Sequence, residues 1–223
     1  GAQGRNIHDF GMNGFAFDRG LALYLPLYAL PTSPMASDDI YRHIGTVTGA
    51  VWGSTGRYFD GLDDTINVAA NASLGITPSI TIIAWVKPTN VAAYGIYSND
   101  GATRFSFWLT ASGTLRMEQP GAAARAETST TPIVAGAWQQ VAYIKRGAGA
   151  TNELYYNGVS QALSTNSNWV FSSSPTDTNY IGNEEGGSKF FLGTIGEVLV
   201  YSRALAVTES AQIYNATRWR YGV

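Results

Sequence analysis

The sequence contains no cysteine and very little charge. The absence of cysteine excludes disulfide bonds, thiolate zinc sites and cysteine nucleophiles. Charged residues make up 13% of the 223 residues, and Lys87, Lys145 and Lys189 are the only lysines. Because the net charge is −2, there is no basic surface of the kind that binds nucleic acid. We therefore expect no nucleic-acid partner.

Long hydrophobic runs are also missing. The longest, residues 20–31, is interrupted by Pro26 and is shorter than the roughly 18 residues that a membrane span needs. We expect no membrane insertion. The chain begins at Gly1 without methionine, which predicts a processed or incomplete sequence.

What the sequence does contain favours short strands joined by turns. It has 25 glycines, 45% hydrophobic and 13% aromatic residues, enough to form a core. Residues 80–87 form a β-branched and aromatic run that stops at Pro88, and residues 138–146 alternate in hydrophobicity. Asn157-Gly158 predicts a tight hairpin. We expect roughly ten to thirteen strands in one all-β domain.

Three further segments complete the predicted order of elements. Residues 104–109 and 114–118 predict a second hairpin around Ser112-Gly113. A long apolar strand is expected at 190–201, where Gly193 and Gly196 indicate a bulge or a close backbone approach. One short helix is predicted from Val207 to about Arg218.

The predicted domain begins after a glycine-rich segment. Residues 1–20 contain five glycines and show neither a strand nor a helix period. We interpret them as an extended N-terminal arm, and a first edge strand is the alternative. The predicted organisation is an arm at 1–20 and a domain at 21–223.

Six segments together resemble laminin G-like domains of the concanavalin A-like lectin and glucanase superfamily. In chain order they are 57–66 (RYFDGLDDTI), 79–88 (SITIIAWVKP), 138–143 (WQQVAY), 154–158 (LYYNG), 181–183 (IGN) and 193–205 (GTIGEVLVYSRAL). The resemblance implies a jelly-roll sandwich of two antiparallel sheets. It also implies that Trp85 lies between the sheets and that the C-terminal helix caps an open end. Two departures are visible, since Ala206 replaces a helix-capping hydroxyl and Gly196 replaces an acidic residue.

Catalysis by glucan hydrolases of this superfamily uses carboxylates that alternate along one strand, which places them on one sheet face. No glutamate here has a carboxylate partner at such a spacing in a predicted strand. His8 and His43, the two histidines, lack a nearby serine nucleophile motif. The sequence therefore predicts that the protein is not an enzyme.

A metal site and a sugar site are each open to two interpretations. Asp60, Asp63 and Asp64 cluster on one turn, which suits a structural Ca²⁺, while an Asp-Gly turn with local backbone contacts is the favoured alternative. Aromatic rings in loops could stack on sugars beside polar groups, or pack in the core. The candidate sugar-binding residues are Tyr94, Tyr97, Asn99, Asp100, Arg104, Trp169 and Tyr180.

Two functional hypotheses follow from these observations. The first is a non-catalytic structural or adhesive module on the surface of a virion or an extracellular assembly, with carbohydrate binding and with self-association or particle-surface proteins as partners. The charge-poor composition and the arm favour it. The alternative is a stand-alone or tethered lectin-like domain, and a glycoside hydrolase ranks below both. Either hypothesis places the protein outside the cell or on a virion.

Overall fold

The computed structural model describes residues 17–29, 31–101, 104–119, 124–149, 152–184 and 187–223. Seventeen strands lie in these ranges, more than the sequence predicted, because several two- and three-residue strands carry no detectable pattern. They are β1 Leu21–Pro26, β2 Met35–Ala36, β3 Ile44–Thr48, β4 Val51–Gly53, β5 Gly56–Asp60, β6 Thr65–Val68, β7 Ile80–Pro88, β8 Tyr94–Asn99, β9 Phe105–Leu109, β10 Leu115–Gln119, β11 Ala124–Thr128, β12 Gln139–Lys145, β13 Asn152–Tyr156, β14 Val159–Ser160, β15 Leu163–Asn166, β16 Asn179–Ile181 and β17 Leu192–Tyr201. Helix α1 spans Val207–Thr217, and short 3-10 helices span Ala72–Leu74 and Arg218–Tyr221.

The strands form two antiparallel sheets. The eight-stranded sheet has the order β14-β13-β12-β7-β17-β5-β4, and β1 also pairs with β17, beyond the part of β17 that pairs with β5. The nine-stranded sheet has the order β15-β11-β10-β9-β8-β16-β6-β3-β2. This arrangement confirms the predicted two-sheet antiparallel sandwich with one short C-terminal helix.

The core lies between the sheets and follows strand alternation. On β7, Ile82, Ala84 and Val86 face the other sheet, where Phe107 and Met117 of β9 and β10 belong to the same buried cluster. Alternate side chains point to opposite faces of a strand. The intervening β7 residues therefore point away from this core.

Two turn predictions from the sequence are confirmed. Asn157 and Gly158 have φ angles of 49° and 76° and join β13 to β14, as a tight hairpin with two positive φ angles requires. In β17 the pairing to β7 shifts between Ile195 and Glu197, which is the predicted bulge.

The C-terminal segment lies on the outer face of the eight-stranded sheet, so the expectation that it caps an open end is wrong. Ile213 of α1 and Leu205 belong to a second buried cluster with Ile83 and Leu199, which point outward from β7 and β17. Glu209 accepts a hydrogen bond from the Ala206 backbone N–H at 2.6 Å. This contact preserves half of a capping box without the missing hydroxyl.

Trp85 also lies on this outer face and not between the sheets, which corrects the second expectation. Its ring stacks on Tyr221 with centroids 4.4 Å apart and on Tyr214 at 5.7 Å. Its Nε1 donates to the Thr217 hydroxyl at 2.8 Å. Trp85 is fully buried because the C-terminal segment covers it.

The predicted arm falls mainly on residues 1–16, which lie outside the described residues. Phe17 is buried in the outer cluster beside Leu21, so the last part of the 1–20 segment packs against the domain. Among the described residues, no helix has the length and apolar character that crossing a membrane requires.

Candidate functional site

The end of the eight-stranded sheet away from the C-terminal segment has an open outer face. Here Val51, Tyr58, Thr194 and Lys87 are successive cross-strand partners on β4, β5, β17 and β7. Partners in one row project from the same face of the sheet. The row therefore brings an aliphatic side chain, an aromatic ring, a hydroxyl and an ammonium group side by side.

A depression of about 280 Å³ includes Tyr58, Thr194 and Lys87 of this row. Its lining consists of Tyr58, Lys87, Pro88, Thr89, Gly136, Gly193 and Thr194. Backbone hydrogen bonds fix its rim, with Thr89 N–H donating to the Leu192 carbonyl at 2.9 Å and Gly136 N–H to the Pro88 carbonyl at 2.7 Å. Gly193 has a φ of 139°, and a Cβ there would overlap the β7 backbone. The wall of the depression is thus held by ordered backbone.

The depression offers hydrogen-bond donors that no described residue uses. The Lys87 ammonium and the hydroxyls of Thr89 and Thr194 form no ion pair or side-chain hydrogen bond within the described part of the chain. Tyr58 is 43% exposed. A ring open to solvent beside a few polar groups is the usual composition of a small-ligand site.

Sequence reasoning did not single out Tyr58 as a binding residue. It lies inside the quoted 57–66 segment, directly before Phe59, which is fully buried. Strand alternation requires neighbouring residues to face opposite sides. Two adjacent aromatic residues in a strand were therefore a signal that one ring points outward.

The acidic cluster at the end of β5 is compact. One carboxylate oxygen from each of Asp60, Asp63 and Asp64 lies within 4.8 Å of the others. Asp64 is buried and accepts the Asp60 backbone N–H at 2.8 Å, while Asp60 accepts the Leu62 N–H at 2.8 Å. Burial first, and then the charges of Asp60 and Asp63, raise the pKa of Asp64. The turn contacts of the second interpretation are thus present.

The outer face of the nine-stranded sheet is closed by its own charges. The loop after β16 crosses Gly95, where a Cβ would overlap the backbone of Asn183 and Glu184. This loop places the Lys189 ammonium 4.3 Å from the centre of the Trp108 ring, while Arg116 on the neighbouring strand lies 4.7 Å from that centre. Trp108 is 6% exposed, so its ring is not available to a ligand.

Three glutamates on this face pair with cations. Glu127 accepts two hydrogen bonds from Arg116, at 2.7 and 3.1 Å, and Glu184 pairs with Lys189. Glu118 has a longer ion pair with Arg116, at 3.7 Å. Burial raises the pKa of Glu118, whereas hydrogen bonds from Thr114 and Arg116 outweigh burial and lower that of Glu127.

Three of the predicted sugar-binding residues lie in strand β8 and not in a loop. Tyr94, Tyr97 and Asn99 are 7%, 1% and 0% exposed. The Tyr97 hydroxyl donates to Asn179 at 2.8 Å, and the Tyr94 hydroxyl donates to Asn90. The expected exposure of these three residues is wrong. The rings of Tyr94 and Tyr97 belong to the core between the sheets, and Asn99 is fully buried.

The remaining four candidates are spread over different surroundings. Trp169 packs in the core, with its ring parallel to that of Tyr143 at 6.5 Å, so its expected exposure is also wrong. Tyr180 is half-buried on β16, and Asp100 and Arg104 are exposed in the loop between β8 and β9. Sugar binding by these three stays a prediction. They do not line the depression at Tyr58.

One serine–histidine contact exists that the sequence did not indicate. The Ser73 hydroxyl lies 2.9 Å from His43 Nε2, which also lies 3.1 Å from the Ala22 carbonyl oxygen. A carbonyl can only accept, so Nε2 carries the proton and cannot take one from serine. Ser73 itself donates to Asn71 at 3.0 Å. The pair is a structural contact.

The fold and its open outer face define a jelly-roll domain of the lectin type. The model of the concanavalin A-like lectin/glucanases superfamily, in its laminin G-like branch, matches residues 59–210. Since this is more than half of the chain, the protein belongs to that family. No curated protein sequence matches the chain.

Solved structures with the same fold are distant in sequence. Domain 4 of AbnA, an extracellular arabinanase from Geobacillus stearothermophilus in complex with arabinotriose, has a TM-score of 0.64 and 17% identity over 88% of this chain and 99% of that one. The binding domain of Paraclostridial Mosquitocidal Protein 1 has a TM-score of 0.67 and 16% identity over 88% and 52%. Trypanosoma rangeli sialidase has a TM-score of 0.65 and 16% identity over 90% and 33%. The chain thus spans a third to a half of the length of the latter two, and the likeness concerns the fold.

Proposed function

We propose that this chain is a non-catalytic carbohydrate-binding module that binds its glycan in the depression at Tyr58. The observation that carries the proposal is an exposed tyrosine ring beside an ammonium and two hydroxyls without partners among the described residues. An aromatic face packs against the apolar face of a sugar, and the polar groups fix its hydroxyls. The arabinotriose complex of a domain with this fold supports the choice of ligand class.

A glycan array with the purified chain tests this proposal, followed by calorimetry on the best ligand. Tyr58→Ala should weaken binding at least about tenfold, which corresponds to about 1.4 kcal/mol. Tyr41→Ala is the matched control, because Tyr41 is 49% exposed and does not line the depression. Binding that survives in Tyr58→Ala, or no binding by the wild-type chain to any glycan, would contradict the proposal.

The non-catalytic part of the proposal rests on the pairing of the acidic residues. Glu127 and Glu184 on the nine-stranded sheet are each held by a cation, and no carboxylate lines the depression. Most glycoside hydrolases use two carboxylates that face one substrate. Release of reducing sugar from a glycan that the chain binds would contradict this part.

We also propose Ca²⁺ as a structural ligand of Asp60, Asp63 and Asp64. Three oxygens within 4.8 Å of one another can share one ion, since Ca²⁺ takes oxygen ligands at about 2.4 Å. A calcium concentration 100 times the Kd should raise the free energy of unfolding by about 2.7 kcal/mol. Asp63→Asn should reduce this gain. A melting temperature that neither calcium nor chelator changes would contradict the calcium proposal and support the turn interpretation.

An extracellular location on a particle or assembly remains the wider setting of the proposal. Ile40 (80%), Tyr41 (49%) and Ile44 (49%) are exposed apolar side chains close together in the chain, and a neighbouring protein could cover them. Light scattering over a range of concentrations tests self-association. A monomer at every concentration would favour a tethered lectin-like domain, and a discrete oligomer would favour the structural role.

A further inference from the structure

We infer that the depression at Tyr58 recognises an anionic glycan, one that carries a carboxylate or a sulfate group. This inference rests on the proposed function and specifies its ligand. It starts from the single charged side chain of the lining, Lys87. No Asp or Glu lines the depression, so the ammonium has no competing carboxylate inside the site.

The three lysines of the chain differ in a way that singles out Lys87. Lys189 pairs with Glu184 and lies over the Trp108 ring, and Lys145 is fully buried beside Trp169. Lys87 is exposed and has no ion pair among the described residues. In a protein with 13% charged residues, it is the lysine whose charge stays available to a ligand.

The neighbours of Lys87 supply donors that suit an oxyanion. Thr194 is its direct cross-strand partner on β17, and Thr89 follows two residues later along the chain. A hydrogen bond to a charged group is about twice as strong as one between neutral groups. The ammonium and these hydroxyls can therefore hold the anionic substituent while the Tyr58 ring contacts the sugar.

The test compares pairs of ligands in which one member carries the anionic group and the other has that group esterified or missing. Trigalacturonate against its methyl ester probes a carboxylate, and 3-O-sulfated lactose against lactose probes a sulfate. At low salt we expect the anionic member of at least one pair to bind about tenfold more tightly, and this preference should shrink as the ionic strength rises. Binding is measured by calorimetry.

Variants distinguish the contribution of the Lys87 charge from that of the Tyr58 ring. Lys87→Met should abolish the preference for the anionic ligand but retain binding of the neutral one, while Lys87→Arg should keep the preference. Tyr58→Ala should weaken both members of a pair, and Lys189→Met, the matched control, should leave the preference unchanged.

The two proposals fail in different ways. Equal binding of both members of each pair by the wild-type chain, or a preference that persists in Lys87→Met, would overturn the anionic specificity and leave carbohydrate binding intact. If the wild-type chain binds no glycan in the array, both the proposed function and this inference are overturned.

Discussion

The outer face of the nine-stranded sheet differs from the open end of the eight-stranded face, at the depression, in how its charged side chains are paired. On the nine-stranded sheet, Arg116 and Lys189 lie against Trp108 and pair with glutamates. The charges of these two cations are therefore neutralised within the protein. At the depression on the eight-stranded sheet, Lys87 and Tyr58 are exposed and form no such pairs with the residues that the structure describes. Paired charges rigidify a surface, whereas unpaired donors around an exposed ring leave interaction energy for a ligand. The comparison supports placing the proposed binding site at the end of the eight-stranded face where the Lys87 ammonium forms no ion pair with a described residue.

The eight-stranded face itself divides into a covered and an open half. Its covered half contains Glu197, which is fully buried and accepts a hydrogen bond from Tyr24 at 2.9 Å. Arg220 from the C-terminal 3-10 helix lies 3.3 Å from both carboxylate oxygens of Glu197. The C-terminal segment thus brings the cation that this carboxylate requires.

The largest effect is expected from removing that cation. Arg220→Ala leaves the buried Glu197 carboxylate without its counter-ion, which should lower the free energy of unfolding by about 3 to 5 kcal/mol. Arg218→Ala is the control, since Arg218 is exposed and lies 5.8 Å from the Tyr214 ring. Urea unfolding compares the two variants, and equal losses would show that Arg220 does not hold this half of the face.

The pH dependence of the stability of Arg220→Ala tests whether the loss comes from the unpaired Glu197 carboxylate. Burial raises the pKa of Glu197, and Arg220 opposes this increase. A carboxyl whose folded pKa is raised destabilises the fold when ionised, and this cost is relieved as the pH falls through the folded pKa. Without Arg220 the pKa should rise further. The stability gap between Arg220→Ala and the wild type should therefore narrow on acidification, and a constant gap would contradict the assignment.

A smaller effect is expected from opening the nine-stranded face. In Gly95→Ala the new Cβ would overlap the backbone of Asn183 and Glu184, so the loop that carries Lys189 must move, at a cost of about 1 to 3 kcal/mol. Trp108 should then become accessible, which its fluorescence and acrylamide quenching report. Gly53→Ala is the control, because its Cβ would come no closer than 3.4 Å to any atom. Similar quenching in both variants would argue against the covering role of the loop.

The Asn157-Gly158 hairpin and the β17 bulge could be predicted because they depend on local turn chemistry and on glycine positions. The two-sheet sandwich was predicted from the resemblance of six segments to laminin G-like domains. The assignment of aromatic residues to faces failed. The pairing of β8 with β9 shifts between Gly95 and Tyr97, and both Tyr94 and Tyr97 then face the core. Alternation along the sequence cannot locate such a shift.

Trp85 was misplaced for a different reason. Strand β7 is buried on both faces, so its apolar run carries no alternation that would distinguish the inner face from the outer. The distinction comes from the C-terminal segment, which covers Trp85 from far along the chain. The depression at Tyr58 depends in the same way on cross-strand neighbours, Thr194 and Lys87, that are distant in sequence.

The smallest expected effect is the change in the free energy of unfolding when Lys87 is replaced, compared with the same replacement at Lys189. Lys189→Met removes the partner of the buried Glu184 and a cation from the Trp108 ring, and because Lys189 is itself partly exposed we expect a loss of about 1 to 2 kcal/mol, between the values for surface and buried pairs. Lys87→Met removes no ion pair or side-chain hydrogen bond to a described residue and should change the free energy of unfolding by less than about 0.5 kcal/mol. Urea unfolding of both variants under one buffer condition measures the difference. If Lys87→Met lowers the free energy of unfolding as much as Lys189→Met does, then Lys87 stabilises the fold, and its charge is not free to bind a ligand.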